Sequence, residues 1–241
     1  TLLGDAPDAR VQLPHSLRAL LAKEEGIRVW SGVNARDRNR VALEAELAGL
    51  AVVGVDGVHS VTGDHTTTGH RDDAMAVFDL DATEIAALAR AAGHVASVAA
   101  APASLPVASR LPLLREKERA GADVCFVDHC GGPEPVAAFI GEARAAGSAL
   151  RFIPCVPAVM SARSAALLAS FPGIRLPAGY LDRIAGAADP RAAGVEASLA
   201  VAAAMLEIDG VVGVNLSGGP GPGEEESFAE AVATVGSRLT G

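Results

Sequence analysis

What most constrains this chain is its alternation of short apolar runs with stretches of helical periodicity. Thr1–Leu3, Ile27–Val33, Val58–Val61, Val95–Ala100, Val124–Val127, Phe152–Val156 and Val211–Val214 read as strands. Between them, Ser16 is a candidate N-cap ahead of Leu17, Leu20 and Leu21, and Leu43, Leu47, Leu50 and Ala51 share one helical face. Asp81 to Glu84 has the spacing of a capping box before Ile85 and Leu88. Further helices are expected over Leu113–Arg119, Pro135–Ala146, residues 161–170 and residues 191–207, the last with Val195, Leu199 and Leu206 inward. A final helix should bury Phe228, Val232, Val235 and Leu239, with Glu224 to Glu226 at its N-terminus, where the helix dipole favours negative charge.

Strands that are apolar along their length are buried on both faces, which means a parallel sheet under helices. Two closures compete. An open doubly wound sheet would carry a glycine-rich phosphate turn after its first strand, and Gly4-Asp5-Ala6-Pro7 is not one. A barrel needs eight strand–helix units. The chain has seven and starts at Thr1 within an apolar run. The expectation is therefore a (β/α)8 TIM barrel, a single domain over residues 1–241, whose first strand–helix unit lies outside this chain.

Composition removes several function classes. With 50% hydrophobic residues and a mean hydropathy of +0.30, the chain is not a disordered one. No apolar run approaches the roughly 18 residues of a membrane span, so no membrane partner is expected. Twenty basic against 29 acidic residues give a net charge of −9, which argues against nucleic acid as a partner. Cys125, Cys130 and Cys155 form no even set and no metal-ligand spacing, and read as small thiols of a reducing cytoplasm.

In a barrel the chemistry lies where strands end. Those positions hold Asp5; Asn34 with Arg36 and Asp37; Thr62 and Asp64; Asp128 with His129; and Asn215 with Ser217. Asp37 is either a cap for the helix that begins at once or a ligand-facing group. Asp64 precedes a long polar loop and has no adjacent helix start to cap, which favours a functional role. Asp128-His129-Cys130 mixes an acid, a base and a thiol, yet sequence neighbours at a strand end point in opposite directions. They are not expected to converge, and no metal centre is expected there or at His65 and His70. Asp128 alone could accept an amidine-like pair of N–H donors. The Ser217-Gly-Gly-Pro-Gly-Pro-Gly turn is read as a mobile loop rather than a phosphate site, because prolines remove donors and glutamates follow. It and the Thr-rich loop after His65 are candidate lids.

The order of segments resembles the methylenetetrahydrofolate reductase family. The similar stretches are Asn34-Ala-Arg-Asp-Arg-Asn39, Val61-Thr-Gly-Asp64, Val77-Phe-Asp-Leu-Asp81, Lys117-Glu-Arg-Ala-Gly-Ala-Asp123, Phe152-Ile-Pro-Cys-Val-Pro157, Gly173-Ile-Arg-Leu-Pro177 and Gly210-Val-Val-Gly-Val-Asn215. The resemblance implies a barrel that reduces 5,10-methylenetetrahydrofolate to 5-methyltetrahydrofolate by hydride from NAD(P)H, in most of the family through bound FAD. It makes Asp64 the catalytic aspartate, puts Asp128, Asn215 and Ser217 at the folate, and Asn34, Asp37, Thr62 and Lys117 at the cofactor. Lys117 matches a basic residue near the FAD diphosphate.

There are departures. Gly32-Val-Asn-Ala35 stands where the family has a His-Leu-Thr-Cys-like run against flavin, Thr62 replaces an arginine, and Arg110 an acidic residue near the adenosine. Asp128 replaces the glutamine that pairs with the pterin, and its carboxylate can accept the same donors. The family's general-acid glutamate lies on the first barrel strand. The pterin site is thus altered but adequate, while the flavin site has lost anchors. A colourless protein taking hydride directly from NAD(P)H or a deazaflavin is expected. The alternative is a non-redox barrel that binds reduced folate or serves as a methyl-donor module. An aldolase-type barrel would want a lysine at a strand end, and Lys23 and Lys117 both fall on helices.

Overall fold

The computed structural model describes residues 1–5, 11–66, 71, 73–171 and 173–241. His70, most of the Thr-rich loop and the Ala6-Pro7 pair lie outside the described residues. The chain divides into two compact units, Thr1–Ala99 with Leu113–Cys125, and Ala100–Pro112 with Phe126–Gly241.

The first unit begins with β1 (Leu2–Leu3), α1 (His15–Glu24), β2 (Trp30–Asn34), α2 (Arg40–Val53) and β3 (Gly57–Val61). It continues through α3 (Ala82–Ala91), β4 (Ala96–Ala100), α4 (Arg110–Arg119) and β5 (Val124–Val127), the last three meeting or crossing the division between units. The second unit holds α5 (Pro133–Ala145), β6 (Arg151–Ala158), α6 (Ala162–Ala169), α7 (Tyr180–Ala185), α8 (Pro190–Leu206), β7 (Asn215–Gly218) and α9 (Glu225–Thr240). The seven strands follow one another in chain order, and β1–β2, β2–β3, β3–β4 and β6–β7 pair in parallel. This is the strand order and helix alternation of a (β/α)8 barrel, with seven strands among the described residues.

Local chemistry explains most element ends. Asp81 caps α3 by accepting from the Thr83 and Glu84 amides, while the Glu84 side chain returns to the Asp81 amide, completing the expected capping box. Asn39, not Asp37, caps α2, and left-handed Gly54 ends it. Leu43, Leu47 and Leu50 are buried, but Ala51 is exposed.

Several boundaries differ from the sequence reading. The N-cap of α1 is Pro14, and Ser16 lies inside the helix with its amide bonded to Glu46. Leu17, Leu20 and Leu21 stay 41–47% exposed, while His15 and Ala19 are the buried residues of α1. The second strand covers Trp30–Asn34, so of the expected Ile27–Val33 only its last four residues belong to it. The Ile27 amide closes α1 onto the Ala22 carbonyl and Asp56 takes the Val29 amide, so strand pairing begins at Trp30. α4 starts three residues before the expected Leu113, and α7 was not anticipated. Leu206 is 41% exposed, its inward place on α8 being taken by Ala202 and Met205.

The last strand is displaced from Val211–Val214 to Asn215–Gly218. Phe152 bridges Val211, yet three residues further on Cys155 pairs with Asn215, four residues beyond Val211. One extra residue is therefore accommodated on the second strand, as in a β-bulge. It falls opposite Pro154, which has no N–H to hold the register. Beyond it, the face of α8 bearing Val195 and Leu199 meets Val235, Phe228, Val232 and Leu239 of α9 over Ala158 and Met160.

Candidate functional site

In the second unit the polar groups collect around Cys155. β6 and β7 run in register, so Asn215 lies opposite Cys155 and Ser217 opposite Pro157. Residues two apart on a strand share a face. Asn215 Nδ2 accordingly donates to Cys155 Sγ at 3.4 Å, and Ser217 also hydrogen-bonds the thiol. Burial pushes the Cys155 thiol up to about 12 against these donors, so it is a neutral thiol rather than a nucleophile. Burial likewise pushes Cys130 up to about 11.

Asp128 directly follows β5. Its Oδ1 accepts from the His129 amide at 2.8 Å, and it caps no helix, since the N-cap of α5 is Gly132. His129 is 5% exposed, and among the described residues its Nε2 has no hydrogen-bond partner. Burial lowers its pKa, with the Asp128 charge opposing. Ligand atoms of Asp128, His129 and Cys155 lie within 4.8 Å of one another. This corrects the expectation that Asp128 and His129 diverge. The Asp128 amide makes the last bond to β4, at the Ala100 carbonyl, and beyond it the Arg175 segment takes over, receiving the Gly131 amide and donating to the His129 carbonyl. Strict alternation no longer holds there. A crevice lined by His129, Cys155, Val136 and Met205 opens beside the cluster.

The turn after β7 is tied down from within. Glu224 Oε2 accepts from the Gly221 amide at 3.2 Å and from Ser161 Oγ at 2.6 Å, and Glu225 Oε1 accepts from the Gly223 amide. The anion these amides hold is the chain's own glutamate.

The first unit carries a second polar group of residues. One oxygen of Asp5 accepts from the Asn34 amide, His15 Nε2 and Arg38, at 3.0, 3.0 and 3.1 Å. Burial opposes ionisation of Asp5, but the His15 bond and the nearby positive charges outweigh it and hold the carboxyl below its usual range. Arg36 is 1% exposed and forms a two-point pair with Asp37, Nε to Oδ1 and Nη2 to Oδ2, each 2.8 Å. That pairing holds Asp37 below the usual carboxylate range. Asn34 bonds Asp37 through both its amide oxygen and its amide nitrogen, at 3.3 and 3.4 Å. Asp64 is exposed and lies near enough for its charge to favour the Arg36 cation. Gly63 before it has φ +88°, and a Cβ there would stand 3.2 Å from Arg36 Cβ. The Val-Thr-Gly-Asp turn thus needs its glycine.

The residues assigned to a flavin are otherwise employed. Thr62 Oγ1 accepts the Ala82 amide at the start of α3, 3.1 Å away. Lys117 Nζ donates to the Ala99 carbonyl at 2.7 Å, and burial lowers its pKa. An ammonium spent on a strand carbonyl is not presented to a diphosphate, and Asp37 is committed to Arg36. These residues, as placed, do not fit a flavin dinucleotide.

Asp128, Asn215 and Ser217 are thus brought together, with Asn34, Asp37 and Asp64 in a separate group. The sequence reading missed His129 as a partner of Asp128, and Cys155 as the centre of the cluster. Cys155 two residues from Pro157 on an apolar strand, and Asn215 at the same depth of the next, were the available signals.

A likeness of fold connects the chain with an uncharacterized protein from Clostridium thermocellum that binds two copies of 5-methyl-5,6,7,8-tetrahydrofolic acid. The TM-score is 0.67 at 12% identity, over 97% of this chain and 80% of that one. Oxaloacetate acetylhydrolase (TM-score 0.48, 19% identity, 64% of this chain and 54% of that one) also aligns. So does 2,3-dimethylmalate lyase (TM-score 0.46, 12% identity, 62% and 52%), and neither carries an argument about this chain. Comparison with curated proteins gives no match. The profile described as methylenetetrahydrofolate reductase matches residues 5–216, nearly nine-tenths of the length, and the chain belongs to that family.

Proposed function

We propose that this protein binds a reduced folate through Asp128, Asn215 and Ser217. On this reading it reduces 5,10-methylenetetrahydrofolate to 5-methyltetrahydrofolate, taking hydride directly from NAD(P)H or a reduced deazaflavin rather than through bound FAD. The observation that carries the reading is Asp128. It is a half-buried carboxylate at the end of β5 that caps nothing and spends one oxygen on its neighbour's amide. The remaining acceptor capacity suits the amino group and adjacent ring N–H of a pterin. Family membership and the fold shared with a methyltetrahydrofolate-binding protein support the ligand class. The internal use of Thr62 and Lys117 supports a soluble hydride donor.

Opening the five-membered ring of the substrate breaks the bond from the methylene carbon to N10, whose electron pair takes a proton from water, and leaves an iminium cation, N5=CH2. Hydride adds to its carbon, and the C=N electron pair returns to N5. A carboxylate stabilises such a cation, and the family resemblance implies that role for Asp64. The non-redox reading, a barrel that only binds reduced folate, shares the Asp128 contacts and differs in transferring no hydride.

Asp128→Ala leaves pterin donors without an acceptor, a loss of about 1–3 kcal/mol, or roughly 5- to 150-fold in affinity. Titration with 5-methyltetrahydrofolate in the presence of a chelator measures it, alongside a melting curve. The expected result is weakened folate binding at an unchanged melting temperature, partly recovered in Asp128→Gln. Unchanged folate affinity in Asp128→Ala would overturn the site.

A further inference from the structure

Three side chains with metal-ligand chemistry meet in the second unit. They are Asp128 after β5, His129 beside it and Cys155 on β6, whose ligand atoms lie within 4.8 Å of one another. We propose that they form a binding site for a borderline-soft divalent cation of the zinc type, with three protein ligands and one open position.

Zinc holds carboxylate oxygen and imidazole nitrogen at about 2.0–2.1 Å and thiolate sulfur at about 2.3 Å, which places ligand atoms of a tetrahedral site roughly 3.3–3.7 Å apart. Closing from the present spacing needs movements of about 1 Å at most, within reach of side-chain torsions. The donor set, one oxygen, one nitrogen and one sulfur, selects against hard ions such as magnesium and calcium, which prefer oxygen alone.

A second observation points to a ligand. His129 is 5% exposed, yet among the described residues its Nε2 has no hydrogen-bond partner. Buried polar atoms in folded proteins are nearly always satisfied, so an unsatisfied nitrogen on the imidazole that belongs to this cluster marks a place for a bound group. Supporting contacts are also present. Asn215 Nδ2 donates to Cys155 Sγ at 3.4 Å and would steady a thiolate bound to the cation, as outer partners of metal ligands commonly do. The small cavity along Val136 and Met205 touches both His129 and Cys155, giving the cluster a partly apolar surround.

The inference does not rest on the folate reading and meets it at one residue. A carboxylate holding a cation is withdrawn from a pterin, so zinc is expected to weaken folate binding through Asp128.

The test is titration of the reduced, chelator-dialysed full chain with Co2+ near neutral pH, in the absence of folate. A thiolate-to-cobalt charge-transfer band should grow stoichiometrically with a dissociation constant of ~10 µM or tighter, and Zn2+ should abolish it by displacement. Cys155→Ser should lose the band, His129→Ala should weaken cobalt binding tenfold or more, and Cys130→Ser should leave the band intact. No band up to ~1 mM cobalt, a band that survives Cys155→Ser, or undiminished affinity in His129→Ala would overturn the proposal. Folate titrated in chelator reports on the pterin site alone, so either reading can fail while the other stands.

Discussion

His59 lies buried in β3 with Nδ1 3.0 Å from Ser97 Oγ, and the Ser97 hydroxyl donates onward to the Val58 carbonyl. The ring therefore gives its Nδ1 proton to Ser97 and stays neutral. Burial, with the Lys117 charge adding, lowers its pKa from 6.5 to about 4. In the unfolded chain the same ring titrates near 6.5. Between those values the unfolded state binds the proton and the folded state does not. Stability is therefore complete above the unfolded value and is lost as pH falls from about 6.5 towards 4. The full difference corresponds to about 3 kcal/mol. At about pH 5 the loss amounts to about 2 kcal/mol, and at about pH 7.5 it is negligible. Urea unfolding at those two pH values, in the parent and in His59→Gln, isolates the effect, because the carboxylates and the other histidines titrate alike in both proteins. The parent should lose about 2 kcal/mol more than the variant on acidification. An equal loss in the two, within about 0.5 kcal/mol, would refute the buried, neutral ring.

Gly194 on α8 packs so tightly that a Cβ would stand 1.9 Å from the Val159 carbonyl oxygen, so Gly194→Ala must push the helix off its neighbour. A cost of about 2–3 kcal/mol and a melting temperature lower by roughly 5–10 °C are expected in calorimetry, and an unchanged melting point would contradict the packing. Asp81→Ala removes the side-chain arm of the α3 capping box, leaving the bond from the residue 81 amide to Glu84, and should cost about 1 kcal/mol in chemical denaturation; an unchanged midpoint would contradict the cap. Glu224→Gln keeps the shape of the turn after β7 but removes the charge that holds Gly221 and Ser161, and should raise amide exchange at Gly221 without altering folate affinity.

Where the determinants are local, the fold was legible from residues. Val124–Val127 is a strand as read, and the Asp81 box works through contacts three residues apart. Legibility ended where distant chain decides. Asp56, just before β3, claims the Val29 amide and shortens β2, and the extra residue between the Phe152–Val211 bridge and the Cys155–Asn215 pair breaks the ladder, so that regular pairing of β7 starts only at Asn215. The candidate site divides in the same way. Asp128, Asn215 and Ser217 stood out as polar residues closing apolar strands, and they do gather around one thiol. The convergence of Asp128 and His129 was hidden, because alternation holds only while strand pairing lasts. The engagement of Lys117 with Ala99 was hidden too, since nothing in a helix sequence reveals which carbonyl a long side chain will reach.

The central claim is hydride transfer to a reduced folate without bound flavin. It is tested most directly by incubating the flavin-free protein with 5,10-methylenetetrahydrofolate and NADH or NADPH deuterated at the transferable position, and in parallel with a deuterated reduced deazaflavin. The mass of the folate product is the readout. The account predicts 5-methyltetrahydrofolate carrying one deuterium in its methyl group, formed mole for mole with one oxidised donor and lost in Asp64→Ala. Bound folate that gains no deuterium from any of these donors would contradict the reductase reading and leave a folate-binding protein in its place.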